Sequence, residues 1–223
     1  MEVKNPLYKN IGIHVICSLF TIDKGKVKVL LVKRKHEPFK GMWSLVGGAL
    51  YNNETLEEGV RREILEKTGL YNVDLYYSSI DDDVNRSPLK RMIAINYIGV
   101  IDKDNAILKN TEKTVDAIWC EVEDIGDLAY NHNSVLAVAR ESLKKLVISS
   151  TVLKSLFPNG FTMPELQLTY ESILNKKFDR RNFRKKLLGL GLIKETDSVI
   201  VFKGNKPAKK YVFEENIIEK EIL

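Results

Sequence analysis

Residues 48–70, Gly48 to Leu70, read GALYNNETLEEGVRREILEKTGL. A glycine at a strand-to-helix turn leads into a helix. Asn53 serves as the expected N-cap, and Glu54, Glu57 and Glu58 put acid at the positive end of the helix dipole. Gly69 suits the left-handed position that closes a helix. Leu56, Val60, Ile64 and Leu65 supply an apolar stripe for packing on a sheet. Glu63 and Glu66, three apart, project from one face, an arrangement that suits a hard divalent cation such as magnesium.

These residues resemble the Nudix box, G-x5-E-x7-REUxEExGU with U aliphatic: Gly48, Glu54, Arg62, Glu63, Ile64, Glu66, Gly69 and Leu70 fall in register. The preceding WSLVGG, Trp43 to Gly48, is similar to the family's lead-in, with Val46 where active members often have proline. The resemblance implies magnesium or manganese and a nucleoside-diphosphate derivative at the box, with Arg62 pairing Glu54. Lys67 departs from it, standing where the second glutamate of the pair would ligate metal. An ammonium only donates and cannot ligate a cation. Lys67 is expected to pair with Glu63, four residues earlier, and to put positive charge where a metal should sit. In the alternative, Lys67 points to solvent and Glu63 with Glu66 holds one working metal.

The chain has 223 residues, enough for two domains of unequal size. Its two cysteines, Cys17 and Cys120, lie in apolar strand-like runs without metal-ligand neighbours and read as packing in a reduced, cytoplasmic protein without a signal peptide. No apolar run approaches the ~20 residues that span a bilayer, so no membrane partner is expected. Residues 1–150 hold 21 of the 35 basic and 21 of the 30 acidic side chains, which cancel; residues 151–223 hold the other 14 and 9. The whole excess of +5 therefore sits in the C-terminal third and points to a polyanionic partner.

Strands are expected at Ile11–Ile22 and Lys26–Arg34 around an Asp23–Gly25 turn, at YNVDLYYSSI and at MIAINYIGVI, with Asp81–Asp83 in a solvated turn. His14 reads as a core or groove histidine and His36 as a solvated one. A closing helix from about Ser134 to Lys145 carries Leu136, Val138, Ala139, Leu143 and Leu146 on its apolar face. Within SIDDDVNRSPLKRMIAINYIGVI, the residues Arg86, Pro88, Arg91, Ala94 and Tyr97 resemble the D-R-x-P-x-x-R-x-x-S/A-x-x-Y pattern of the Nudix-related transcriptional regulators, with Asn85 replacing the aspartate. Asn131–His132 stands where that group usually has Asp-His.

Beyond the Ser149–Ser150 break, Thr162 and Glu165 have capping-box spacing with Pro164 in the first turn, and Asp179 can cap RRNFRKKLLGLGL. Phe183, Leu187 and Leu190 share one face of that second helix; its arginines and lysines fall on the others. Two strand-like runs with Lys203, Lys206, Lys209 and Lys210 around the turn complete a winged helix-turn-helix pattern. DRRNFRKKLLGLGLI and NKPAKKYVF resemble the winged helix of the same regulators, so the resemblance spans nearly the whole chain.

The expected architecture is α+β. A Nudix α/β/α sandwich with a mixed sheet, residues 1–150, precedes a winged-helix DNA-binding domain, residues 151–223. The resemblance implies an effector-responsive regulator that binds a duplex operator as a homodimer, with a pentose or an ADP-ribose-like molecule as effector. Val46 leans toward the sugar-binding branch. Effector residues are Arg34, Trp43, Glu63, Glu66, Lys67 and Arg86; DNA residues are Arg180, Arg181, Asn182, Arg184, Lys185, Lys203, Lys206 and Lys209. No cofactor is required; Mg2+ at Glu63 and Glu66 enters only if hydrolase chemistry survives. The competing reading is an active Nudix pyrophosphatase with a nucleic-acid-binding tail. RNA binding would call for exposed stacking aromatics, and the second helix offers only Phe183, which reads as core.

Overall fold

The computed structural model describes residues 11–104, 106–108, 113–201 and 207–214. Its centre is a mixed seven-stranded sheet. Strand β1 (Gly12–Asp23) turns through Lys24–Gly25 into the antiparallel β2 (Lys26–Arg34). Nearer its start β1 pairs with β4 (Val46–Ala49), which follows the short β3 (Trp43–Ser44). On its other edge β1 lies parallel to β6 (Met92–Val100), Gly12 opposite Met92 and Phe20 opposite Val100. β5 (Leu75–Asp81) flanks β6, and β7 (Thr114–Glu121) flanks β2, both antiparallel.

Helix α1 (Leu56–Thr68) covers one face of this sheet and α2 (His132–Ser149) the other. Both faces are thus buried, and the middle of β1 is buried without alternation for that reason. Val15, Cys17 and Leu19 meet Val60 and Ile64 of α1; Ile16 and Phe20 join the core under α2. The Cys17 thiol is buried, which raises its pKa and keeps it protonated; Cys120 is half-buried.

Two details differ from the sequence reading of α1. Thr55, not Asn53, is the N-cap, because Thr55 and Glu58 form a reciprocal capping box. Leu65 is 51% exposed: Leu56, Val60 and Ile64 are spaced by four, and the next residue is rotated about 100° from that line. On α2 the buried face is Val135, Leu136, Ala139, Leu143 and Val147, while Val138 is exposed.

A 3-10 turn (Val152–Leu156) leads from α2 into α3 (Met163–Leu174) and α4 (Arg180–Gly189). Thr162 with Glu165 and Asp179 cap the two helices as their spacing predicts. The antiparallel β8 (Ile193–Ile200) and β9 (Ala208–Phe213) form a wing. Phe183 and Leu187 turn inward against Tyr170, and Phe161 packs with Phe157 and Phe213. This core is continuous with the one under α2 through Val147, Val152, Leu153 and Leu156. At the far end of the sheet the Ser172 hydroxyl lies 2.8 Å from the Gly25 carbonyl, and Ser155 donates to Asp74 at 2.8 Å. Among the described residues no helix is long and apolar enough to cross a membrane.

Candidate functional site

The turn from β4 into α1 is shaped by close approach. A Cβ on Gly47 would meet the Val15 carbonyl, and one on Gly48 would fall on the Glu63 carboxylate. Arg62 organises the acids of the helix. Its guanidinium grips both oxygens of Glu54 at 2.6 and 2.8 Å and reaches Glu63 at 2.6 Å and Glu66 at 3.3 Å, while stacking on Tyr51. That fork holds the Glu54 carboxyl down at about 2. Lys67 folds inward rather than into solvent. Its ammonium lies 3.1 Å from Glu63 Oε2 and hydrogen-bonds the Gly47 carbonyl. Burial lowers its ionisation, and the Glu63 charge opposes that shift.

These contacts test the fit of a divalent ion. Glu54, Glu63 and Glu66 each already face a cation, Glu66 having Lys113 at 3.8 Å as well as Arg62. The Gly47 carbonyl is also taken, and among the described residues no three His, Cys, Asp or Glu side chains converge to hold a metal. Magnesium wants oxygen donors at about 2.0–2.1 Å in octahedral array, so the residues present do not fit one.

Two cavities open beside Lys67. One, of about 220 Å3, is walled by Arg34, Lys35, His36, Glu63, Glu66 and Lys113 among others. The second, of about 190 Å3, has His14, Gly47, Tyr130 and His132 in its wall. Arg34, Ser44, Gly48 and Lys67 belong to both walls, so the two are chambers of one cleft. Arg34 is aimed by the Pro38 and His36 carbonyls, which accept from Nε at 2.8 Å and Nη2 at 3.3 Å, and its plane lies over Tyr130, 4.9 Å from the ring centre. Phe39 meets Tyr130 edge-on at 4.7 Å, and both residues hold left-handed backbone, φ 66° and 57°. Non-glycine residues with such angles are strained and cluster at ligand sites.

Behind the second chamber lies a polar layer. Arg86 is 3% exposed; its guanidinium donates to Asp81 at 2.9 Å and to His14 Nδ1 at 3.2 Å, and Nη2 is buried without a hydrogen-bond partner among the described residues. Asn131 donates to the same Asp81 oxygen at 2.7 Å. His132, at the start of α2, accepts from the Leu45 N–H at 3.0 Å, so its Nδ1 is unprotonated. Desolvation, followed by the Arg86 and Lys67 charges, holds both imidazoles neutral, His132 at about 3 and His14 at about 4.

The residues assigned to the effector from sequence therefore separate. Arg34, Glu63, Glu66 and Lys67 line the cleft. Arg86 stands behind His14. Trp43 is outside both walls, packed against the larger core with Lys33 over its ring. Tyr130 and His132 were not assigned, although the Asn131–His132 pair was the signal. His36 is exposed, yet it borders the first chamber. On the winged helix, Arg180, Arg181, Asn182 and Lys185 are exposed along α4. Arg184 is tied to the wing, with Nε 3.2 Å from the Tyr211 hydroxyl and Nη2 3.3 Å from Glu195; Glu195 also takes Lys209. Lys203 and Lys206 lie outside the described residues.

A sheet carrying a box helix, joined to a winged helix, matches two family models in order. The Nudix domain model matches residues 12–141, and the NrtR DNA-binding winged helix domain model matches residues 154–213. The chain belongs to the NrtR-like family of Nudix proteins. It is 29% identical over 200 residues to the ADPR responsive transcriptional repressor NtrR of Acinetobacter baylyi, spanning 88% of this chain and 79% of that protein. The crystal structure of Shewanella oneidensis NrtR complexed with a 27mer DNA superposes with TM-score 0.79 at 27% identity, over 91% of this chain and 93% of that one. The Nudix domain of the same NrtR complexed with ADP ribose matches with TM-score 0.54 at 26% identity, over 62% and 93% of the two chains. The likeness to NrtR thus covers both halves of the chain.

Proposed function

We propose that this chain is a transcriptional repressor of the cytoplasm that holds operator DNA through its winged helix and releases it when ADP-ribose fills the cleft. The shared wall of the two chambers carries this reading. A ligand with two bulky ends and a doubly anionic middle would put its diphosphate at Arg34 and Lys67 and one end in each chamber. A pentose, toward which Val46 leans, is neutral and would bring no charge to match Arg34 and Lys67. The ADP-ribose in the name of the Acinetobacter relative and in the Shewanella complex supports the same choice.

On the DNA side, the exposed Arg180, Arg181, Asn182 and Lys185 suit base edges and phosphates in a major groove, with Arg184 and Lys209 at the junction of helix and wing. A homodimer would match two half-sites of an operator. Hydrolysis is not part of the proposed function, because Lys67 takes the position of a metal-ligating carboxylate. The test is selection of duplex DNA from a random pool, then titration of the complex with ligands. Micromolar to millimolar ADP-ribose should release the enriched duplex while pentoses do not, and ADP-ribose should stay intact over the experiment. Failure to enrich any sequence, or hydrolysis on the order of 1 s⁻¹ with magnesium, overturns the reading.

A further inference from the structure

The charge pattern around Glu63 deepens the proposed function and rests on it. We infer that Lys67 replaces the divalent ion: its ammonium, with the Arg34 guanidinium across the shared wall, is the counter-charge for the ligand's diphosphate, and ADP-ribose binds independently of metal. An ammonium has three N–H groups. Glu63 and the Gly47 carbonyl take two, and the third remains for a ligand in the chambers that Lys67 lines. Arg34 is in the same position, with Nε and Nη2 held by the Pro38 and His36 carbonyls and Nη1 left over. The two carboxylates that would otherwise bring a metal to the phosphates are spoken for. Glu63 is 8% exposed at its side chain, with one oxygen on Arg62 and the other on Lys67. Glu66 faces Arg62 and Lys113. A dication entering here would displace a buried ammonium from the Glu63 carboxylate or sit against it. Lys67 cannot swing away at small cost, because its departure leaves Glu63 buried with one oxygen unpaired.

Calorimetric titration of the full chain with ADP-ribose, in EDTA and in excess magnesium, tests this. Wild type should show the same Kd in both buffers within about twofold. Lys67→Gln should weaken binding tenfold or more in both, and Lys67→Arg, which keeps the charge, should stay within a few-fold of wild type. Lys67→Glu, which restores a carboxylate beside Glu63 and Glu66, should bind at least tenfold more tightly with magnesium than in EDTA. Binding by wild type that falls tenfold or more in EDTA overturns the inference and leaves the proposed function standing. So does a Lys67→Gln chain that binds like wild type in EDTA. If ADP-ribose binds in neither buffer, the proposed function fails and the inference with it.

Discussion

His132 shows what a single side chain contributes to this fold. It ties the start of α2 to the Leu45 amide, and accepting that hydrogen bond requires a neutral ring. Burial and the charges of Arg86, Lys67 and Arg34 keep it neutral down to about pH 3, and His14 down to about 4. Free histidines bind a proton near pH 6.5, so below that pH the unfolded chain takes up protons that the native one refuses. The stability from these depressed values is complete above about 6.5 and is lost as pH falls toward 4 and 3. Each ring costs up to ~1.4 kcal/mol per pH unit across that window. Urea unfolding at pH 7, 5.5 and 4.5 should show His132→Asn less stable than wild type at pH 7, with the gap narrowing steadily as pH falls. Parallel curves would mean that His132 is not held neutral by the fold. The Glu54–Arg62 pair was implied by the resemblance to the Nudix box, in which both positions are fixed. Tyr130 was not legible, since it reaches the cleft from the loop before α2, some eighty residues downstream. Only the sheet brings that loop beside Gly47.

Among the elements, α4 and the wing were the most legible. Asp179 before a basic amphipathic run fixes the helix, and Phe183 and Leu187 can face only inward. The sequence did not reveal that Glu195 on β8 gathers Arg184, Lys209 and the Tyr211 hydroxyl into one cluster joining recognition helix to wing. Contacts of that kind depend on strand register, and β8 is irregular between Glu195 and Val199. The cluster divides the basic residues into two kinds. Arg181 is open and should act through DNA alone, so Arg181→Ala should cost ~1–3 kcal/mol on the selected operator if it reads a base edge. Glu195 instead restrains two cations. Glu195→Ala should raise affinity for non-specific duplex and steepen its salt dependence, while narrowing the ratio of specific to non-specific binding. Anisotropy titrations over a range of salt separate the two. Equal loss of specific and non-specific affinity in Glu195→Ala would show instead that the cluster only supports the wing.

At the scale of the whole molecule, a repressor must let the cleft and the DNA surface bias one equilibrium, and two rigid elements run between them. Helix α2 starts at His132 in the cleft wall and ends at Ser149, where the chain enters the winged helix. Strand β2 carries Arg34 at its cleft end; at its other end the Gly25 carbonyl meets the Ser172 hydroxyl, and the Leu168 side chain fills the space that a Cβ on Gly25 would enter. The route through α2 follows from chain order. The route through β2 needed the fold, because Gly25 and Ser172 are 147 residues apart. A ligand that drew Arg34 toward its diphosphate would pull on a strand whose far end meets α3, and small shifts there would bias the set of the winged helix. Linkage makes this measurable: ADP-ribose should lower operator affinity, and operator should lower ADP-ribose affinity, by the same factor, typically worth ~1–3 kcal/mol. Leu168→Ala combined with Ser172→Ala removes the contact on Gly25 without touching the cleft or α4. Each ligand alone should then bind within about threefold of its wild-type affinity, while the mutual factor shrinks toward one. Should the double variant keep the full factor, β2 is not the route, and α2 carries the signal by itself.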